Sequence, residues 1–442
     1  MIENRKNKHN HLRFYYLLVL LCGLCFVRYA LQVNFPKNFF LLIVALIAAL
    51  GNHDEIIAMM MCCIPLHTSL HYFYALLICL AFFLLKYHRE IRINTSLIPL
   101  LLMALWELFH CFGKPFSLMA FVMDFLPLIV LTVLMFDKSK TIDYPFICRA
   151  LSLCIIFMCI LLLGKLLYIA RFNVVKAIAS LWRLGADTVE AKEALKIEGG
   201  QQNPNTLGIL CVLGVSGLLL LRGMGVGNKK DIVQIVFLLV FGALTSSRTY
   251  LACLSIMAVL FWFSQKGGVD KRIKLLLQLL LLSAVALLVL YLFFPTILEY
   301  YFNRLVNRDK YLSRSDLMTI YHHFIVENKR ILFYGIGLQN YYSDLINVYR
   351  VATTVPHNAI QEMVIAWGIP SIVLFILLGI SMVLRSRYFN KNQRLINYIP
   401  ILIILAKSMV GQLLDSPYTL LALSYGYLSM RQEITPIMHK KF

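Results

Sequence analysis

Three side chains sit where this sequence can do chemistry: Arg248, Arg314 and His357. Arg248 stands in Thr245-Ser246-Ser247-Arg248-Thr249, a tight turn between two apolar runs. A guanidinium keeps its charge at any physiological pH, and its planar fork binds phosphate oxygens through two bonds at once. Two readings of Arg248 stand side by side: an arginine snorkelling to lipid headgroups, and an anion site built on the turn. Arg314 follows Ser313 at the start of an amphipathic segment and alone reads as a solvated surface charge, as do Arg304 and Arg308. His357 directly precedes Asn358-Ala359-Ile360, where an apolar run begins. Imidazole can take a proton from a hydroxyl near neutral pH; the plainer reading is a polar tip facing headgroups. His322-His323, with no third ligand in view, reads as structural. No Asp-x-Asp, P-loop or zinc-spaced His/Cys cluster occurs, and the stretch from Val33 to Lys37 has no acid. No metal and no cofactor is therefore expected. If negative charge develops here, fixed arginines must meet it.

The elements that position these residues are membrane spans. Of 442 residues 60% are hydrophobic and 14% charged, against about 45–50% and about 25% in a soluble domain. Apolar runs fall near 14–32, 38–50, 55–70, 72–86, 96–112, 119–136, 148–169, 205–221, 231–246, 249–264, 275–294, 358–384, 396–412 and 417–431. With the short second to fourth runs allowing one bent or re-entrant element, the fold class expected is all-α, a polytopic membrane helix bundle of about 12–14 spans. The first run is too long for a cleavable signal and lacks a small-residue cleavage site. The eleven cysteines lie between Cys22 and Cys253, nearly all in apolar runs. They read as packing residues rather than a disulfide framework, and so does the Cys22/Cys25 pair.

The net charge of +20 is mostly topology. Arg5/Lys6/Lys8/Arg13, Lys86/Arg89/Arg92, Lys138/Lys140, Arg222/Lys229/Lys230, Lys266/Lys271/Arg272/Lys274, Arg385/Arg387/Lys391/Arg394 and Arg431/Lys440/Lys441 alternate with short loops holding little more than Lys37, Lys114 and Arg248. Basic loops stay cytoplasmic, so both termini are expected inside, and a nucleic-acid partner is unnecessary. Two longer polar stretches then face outward. In 170–204, Val174, Val175, Ile178, Leu181 and Trp182 share a stripe, and Asp187 with Glu190 resembles a capping box before a helix ended by Gly199-Gly200. In 296–357, Leu317, Ile320, Tyr321 and Phe324 line one side of a helix, Gly335-Ile336-Gly337 breaks the chain, and a third helix runs from about Leu338 to Arg350. The organisation expected is an N-terminal bundle (1–169), a first outer loop (170–204), membrane helices (205–295), a large helical outer loop or cap (296–357) and C-terminal spans (358–442). Arg28, Glu107, Lys165 and Lys407 are the charges expected at membrane depth.

Five segments, in order, resemble the O-antigen ligase and polymerase superfamily of bacterial membrane glycosyltransferases. Gln202-Asn203-Pro204-Asn205 resembles its Asn-Pro-Asn element, and Ser247-Arg248 its Ser-Arg turn. Arg314 with its helix, Gly335-x-Gly337 and Asn340 resembles its outer loop. His357-Asn358 with Glu362 and Gly368-Ile369 resembles its His-Asn motif, and Asp415-Ser416-Pro417 its late acidic turn. The match covers about 200–431. In this family's loop helix a Trp often stands where Met318 does here, and Met can fill that packing role.

The resemblance implies a C-type glycosyltransferase-like bundle in the bacterial cytoplasmic membrane, with its active site on the extracytoplasmic face. Donor and acceptor would be polyprenyl-diphosphate-linked oligosaccharides. Arg248 and Arg314 would hold the diphosphate and His357 would act on the acceptor hydroxyl or position the diphosphate. Asp415, Asn203, Asn205 and Asn358 would support them, Asp415 serving equally well as a helix cap. Transfer would be inverting and metal-independent. The expected partners, besides membrane lipids, are a chain-length regulator and a flippase. The leading expectation is a polysaccharide polymerase for O-antigen or capsule. A ligase passing the finished glycan to lipid A–core or protein uses the same donor. A flippase or transporter of lipid-linked sugars would instead show paired repeats and broken helices at mid-membrane.

Overall fold

Sixteen helices of the computed structural model, numbered in chain order among the described residues, build the molecule: α1 (Leu12–Tyr29), α2 (Asn38–Leu50), α3 (His53–Cys62), α4 (Tyr72–Tyr87), α5 (Leu97–Cys111), α6 (Leu118–Phe136), α7 (Tyr144–Ile169), α8 (Pro204–Gly223), α9 (Lys229–Leu244), α10 (Arg248–Ser264), α11 (Arg314–Glu327), α12 (Lys329–Tyr334), α13 (Ala359–Trp367), α14 (Ile369–Phe389), α15 (Leu395–Met409) and α16 (Pro417–Met430). The structure describes residues 11–112, 116–139, 142–174, 204–245, 247–264, 314–339, 344–351, 356–391, 393–414 and 417–433, with isolated positions between these blocks. The first outer loop is described only in fragments, among them a two-residue hairpin of Lys196–Ile197 with Gly200–Gln201. Of the helices expected there, Val174 and Ala177 are described and helical, and the remainder lies outside the described residues.

Among the described residues six helices are long and apolar enough to cross a membrane: α1, α4 with its short extension to Glu90, α6, α7, α8 from Asn205, and α14. Shorter apolar helices include α2, α5, α10 and α15. Turns interrupt several of the apolar runs, and the run at 275–294 lies, apart from isolated positions, outside the described residues. The run at 55–70 is helical only through Cys62, and a series of turns carries the chain on to α4.

Helix starts are written locally. Asn52 and Glu55 form a reciprocal capping box at 3.0 Å each way, and Asn228 with Asp231 forms another at 2.8 Å. Asp143 caps α7 through the Phe146 amide at 3.0 Å. At the bundle centre α8 packs against α7, α9, α10 and α15. A Cβ on Gly217 would lie 2.0 Å from the Tyr425 hydroxyl; small residues let membrane helices approach this closely. All eleven cysteines are unbonded, Cys22 and Cys25 among the buried ones.

One end of the bundle carries the basic turns. There Lys86 Nζ donates to the carbonyls of Ala48, Ala49 and Gly51 at 3.0, 2.6 and 2.9 Å, satisfying the last turn of α2. Arg149 pairs with buried Asp231 at 3.0 and 3.1 Å. At the other end the chain departs from expectation. The run at 358–384 is broken by Gly368 (φ +72°) into α13 and α14. The cause is the loop: the amides of Ile336 and Gly337 take the Ile365 and Ala366 carbonyls at 2.9 and 2.7 Å. Gly335 (φ +80°) and Gly368 meet the opposing backbone so closely that a Cβ would lie 2.4 Å from Ala366 O and 2.3 Å from Phe333 O respectively. Both the left-handed backbone and the contact demand glycine.

Glu107, fully buried on α5, fixes this junction. It accepts from the Leu338 and Gln339 amides at 2.8 and 2.9 Å and from the Trp367 indole at 2.6 Å. Its carboxylate thus replaces the helical partners that residues 338–339 lack. Within the helix expected over 338–350, the described residues include Tyr341, which is helical, and a π-helical stretch, Asp344–Val348; residues 340 and 342–343 lie outside the described residues.

His11 precedes α1 and sits between Glu55 (3.0 Å) and Asp143 (3.7 Å). Burial alone would lower its pKa, but hydrogen bonds to Asp143 and Glu55 outweigh it and raise the value to about 9. The unfolded value is about 6.5, so this contribution to stability is complete below that pH and is lost as pH rises through about 9. Between pH 6.5 and 9.5, the melting temperature of the wild type in detergent is expected to fall more than that of His11→Gln. Parallel curves would refute the ion-pair role.

Candidate functional site

The expected site residues distribute around the end of the bundle opposite the basic turns. Asn205, in the first turn of α8, accepts from the Ser247 hydroxyl at 2.6 Å, and Ser247 Oγ in turn accepts from the Tyr250 amide at 3.1 Å as the cap of α10. This fixes the turn that presents Arg248, the first residue of α10, as an exposed side chain. The N-terminus of a helix carries partial positive charge, so guanidinium and helix together favour an anion there.

One residue on, Thr206 shares a 3.0 Å hydrogen bond with the Tyr418 hydroxyl. The Tyr418 ring lies 4.9 Å from Lys407 Nζ and 4.8 Å from the His67 ring. Buried Lys407 donates to Gln412 O at 2.5 Å and Thr419 Oγ1 at 2.6 Å. Its ammonium thereby ties the C-terminus of α15 to the first turn of α16.

His357 is half-buried beside buried Asn358. Asn358 Oδ1 caps α13 through the amides of Ile360 (2.9 Å) and Gln361 (3.2 Å), while its Nδ2 donates to Met409 O at 3.1 Å. The imidazole is therefore set down where α15 ends. From the same helix Gln361 Nε2 donates to Met318 O at 2.7 Å, bringing in α11, the helix that Arg314 begins. Met318 contributes this carbonyl and is 38% exposed. Buried Glu362 accepts from the Leu413 and Leu414 amides at 2.6 and 3.0 Å, holding the connection that leads to residue 415.

The structure thus joins Asn205 to the Ser247-Arg248 turn, and joins His357-Asn358 to the α15–α16 connection and to α11. Both groups pack on α15, which contacts α10 and α13. The Arg314 side chain, Asn203 and Asp415 lie outside the described residues. His322 and His323 are exposed on α11, whereas Leu317 and Tyr321 of the expected apolar stripe are buried. Sequence reasoning missed Thr206, Tyr418 and His67, which carry no charge that would flag them. It noted Lys407, Glu107 and Lys165 as membrane-depth charges, and all three are buried. Arg28 is half-buried over the rings of Tyr29 and Phe35 at 5.7 and 5.5 Å.

Among the described residues one group has metal-ligand character: His53, Glu90 and Asp137, with donor atoms within 4.8 Å of one another. It lies at the basic end, away from Arg248 and His357, and Arg431 already stands 3.3 Å from Asp137.

Glu362→Ala would leave two buried amides without an acceptor, at about 1–3 kcal/mol each. Lower thermal stability and faster proteolysis near 410–417 are expected, with Glu362→Gln milder because both amides bond one oxygen, Oε2, and a glutamine carbonyl can accept both without the charge. An unchanged melting curve for the alanine variant would show that the carboxylate does not hold this connection. No protein-family model and no curated protein matches the chain.

Proposed function

We propose that this membrane protein is a polysaccharide polymerase that transfers a polyprenyl-diphosphate-linked oligosaccharide to a sugar hydroxyl. The observation that carries the reading is the arrangement of two turns at one end of the bundle. One presents Arg248 and the other presents His357, and both lean on α15. In this reading that end is the extracytoplasmic one, since the basic turns crowd the other.

The chemistry follows from the residue types. Arg248, with Arg314 from α11, holds the diphosphate and stabilises its charge as the bond to the anomeric carbon breaks. His357 accepts the proton of the attacking hydroxyl, or orients the diphosphate for departure. Attack from the face opposite the leaving group inverts the anomeric centre. The cations supply the electrostatic stabilisation, and the sequence offers no Asp-x-Asp at this end, so the step runs without a metal. Exposed Arg248 suits a substrate that arrives from the membrane surface, and the buried Lys407 and Glu362, already bound to the backbone, serve position rather than chemistry.

Purified protein with lipid-linked repeat unit tests this. His357→Ala should cut chain formation by about a hundred- to ten-thousand-fold, the usual contribution of a general base, with unchanged folding. Arg248→Ala should abolish longer glycans, and Arg248→Lys should also be poor because a point charge lacks the fork. Near-wild-type products from either alanine variant would remove that residue from the site. EDTA should have no effect, and strong inhibition would refute the metal-free step. In a deletion strain, single repeat units on the acceptor indicate a polymerase, whereas full-length chains stranded on the carrier indicate a ligase.

A further inference from the structure

At the basic end a cavity of about 610 Å³ opens beside the C-termini of α14 and α16, lined by Tyr388, Phe389, Lys391, Arg431, Gln432 and Glu433 among others. That volume falls within the range of small-molecule sites, about 300–1,000 Å³. Buried Arg431 forms part of its wall. Its Nη1 lies 3.3 Å from Asp137 Oδ2, its Nη2 donates to Ser139 O at 2.7 Å, and its guanidinium sits 3.9 Å from the Phe389 ring centroid.

Around this pair the cations Arg385, Lys138 and Lys391 stand with the acids Glu90 and Glu433. Arg385 lies over the rings of Tyr388 and Phe389 at 4.9 and 4.8 Å and donates Nε to Met135 O at 3.0 Å. Its Nη2 is buried without a hydrogen-bond partner. Lys138, on the segment Arg431 grips, has its pKa lowered by desolvation and by the charges of Arg92 and Arg385. Among the lining residues Glu433 is the one acid, and Lys391 and Glu433 are both exposed.

The cavity also stands at the end of an apolar track. Val373, Ile376, Leu377, Ile380 and Leu384 are all exposed along α14 and lead to Tyr388 at the cavity wall. Steps of three and four keep them on one face of the helix, so acyl chains can lie along it while a headgroup reaches the cations. Basic pockets among membrane helices at the cytoplasmic surface recognise anionic headgroups in this way.

We propose that this cavity binds the phosphate headgroup of an anionic phospholipid, with Lys391 and Arg431 facing the phosphate and the acyl chains on the α14 stripe. The apolar track distinguishes this occupant from free phosphate, which would use the cations alone. The excess of cations distinguishes it from a zwitterionic lipid, whose ammonium would meet them.

Full-length protein, delipidated in neutral detergent, is melted with dioleoylphosphatidylglycerol, dioleoylphosphatidylcholine or sodium phosphate. A ligand that binds the folded state raises the melting temperature. The anionic lipid should raise it by several degrees more than the zwitterionic one, and sodium phosphate should do nothing. Lys391→Glu, an exposed rim change, should remove at least half of the difference between the lipids, and Glu433→Lys should enlarge it. Equal shifts from the two lipids, an unchanged difference in both variants, or a shift reproduced by sodium phosphate would each overturn the proposal.

Discussion

A chain inside hydrocarbon cannot leave a peptide group without a partner, because no water is there to replace it. Where this chain runs as helix the condition is met internally. Where helices end or turn, charged side chains take over some of the freed groups. Carboxylates receive orphan amides: Glu107 those of residues 338–339, Glu362 those of residues 413–414. Cations receive orphan carbonyls: Lys86 from the end of α2, Lys407 from Gln412, and Arg431 from Ser139. The division follows the chemistry, since a carboxylate only accepts and an ammonium or guanidinium only donates.

This constraint accounts for two buried charges. An ionisable group at membrane depth is by default a functional candidate, yet Glu107 holds residues 338–339 and the Trp367 indole, and Lys407 ties the end of α15 to the start of α16. Because Asn358 both caps α13 and binds the last residue of α15, the imidazole beside it is placed by two helices rather than by a loose loop. The Arg248 turn is treated alike, with Ser247 bound to α8 through Asn205 and to α10 through the Tyr250 amide.

Much of this was legible in the sequence, and the reasons differ by residue. Apolar run length announced the membrane helices, since among the described residues six reach full spanning length. The stripe of Leu317 and Tyr321 announced the buried face of α11, because a 3.6-residue period survives in any amphipathic helix. The break at Gly368 was legible in part, since Gly368-Ile369-Pro370 is a local breaker within the run from 358 to 384, but the bonds to the amides about thirty residues upstream, at 336 and 337, leave no mark in that run. Of the helix anticipated over 338–350, residue 341 is helical and 344–348 are π-helical, while the amides of 338 and 339 are held by Glu107 on a distant helix, a contact that leaves no local pattern. The Thr206–Tyr418 bond and the His67–Tyr418 contact join segments far apart in the chain and leave no local pattern. The side chain of Arg314, with Asn203 and Asp415, lies outside the described residues, so their part in the site rests on the resemblance alone.

The seam where residues 336 and 337 bond to the last carbonyls of α13 has a mechanical meaning. It makes a stretch of surface loop continuous with a nine-residue helix whose other end carries His357. A displacement of the backbone at 336–337 would therefore be carried along that helix to the residues at its start, Asn358 and His357 among them.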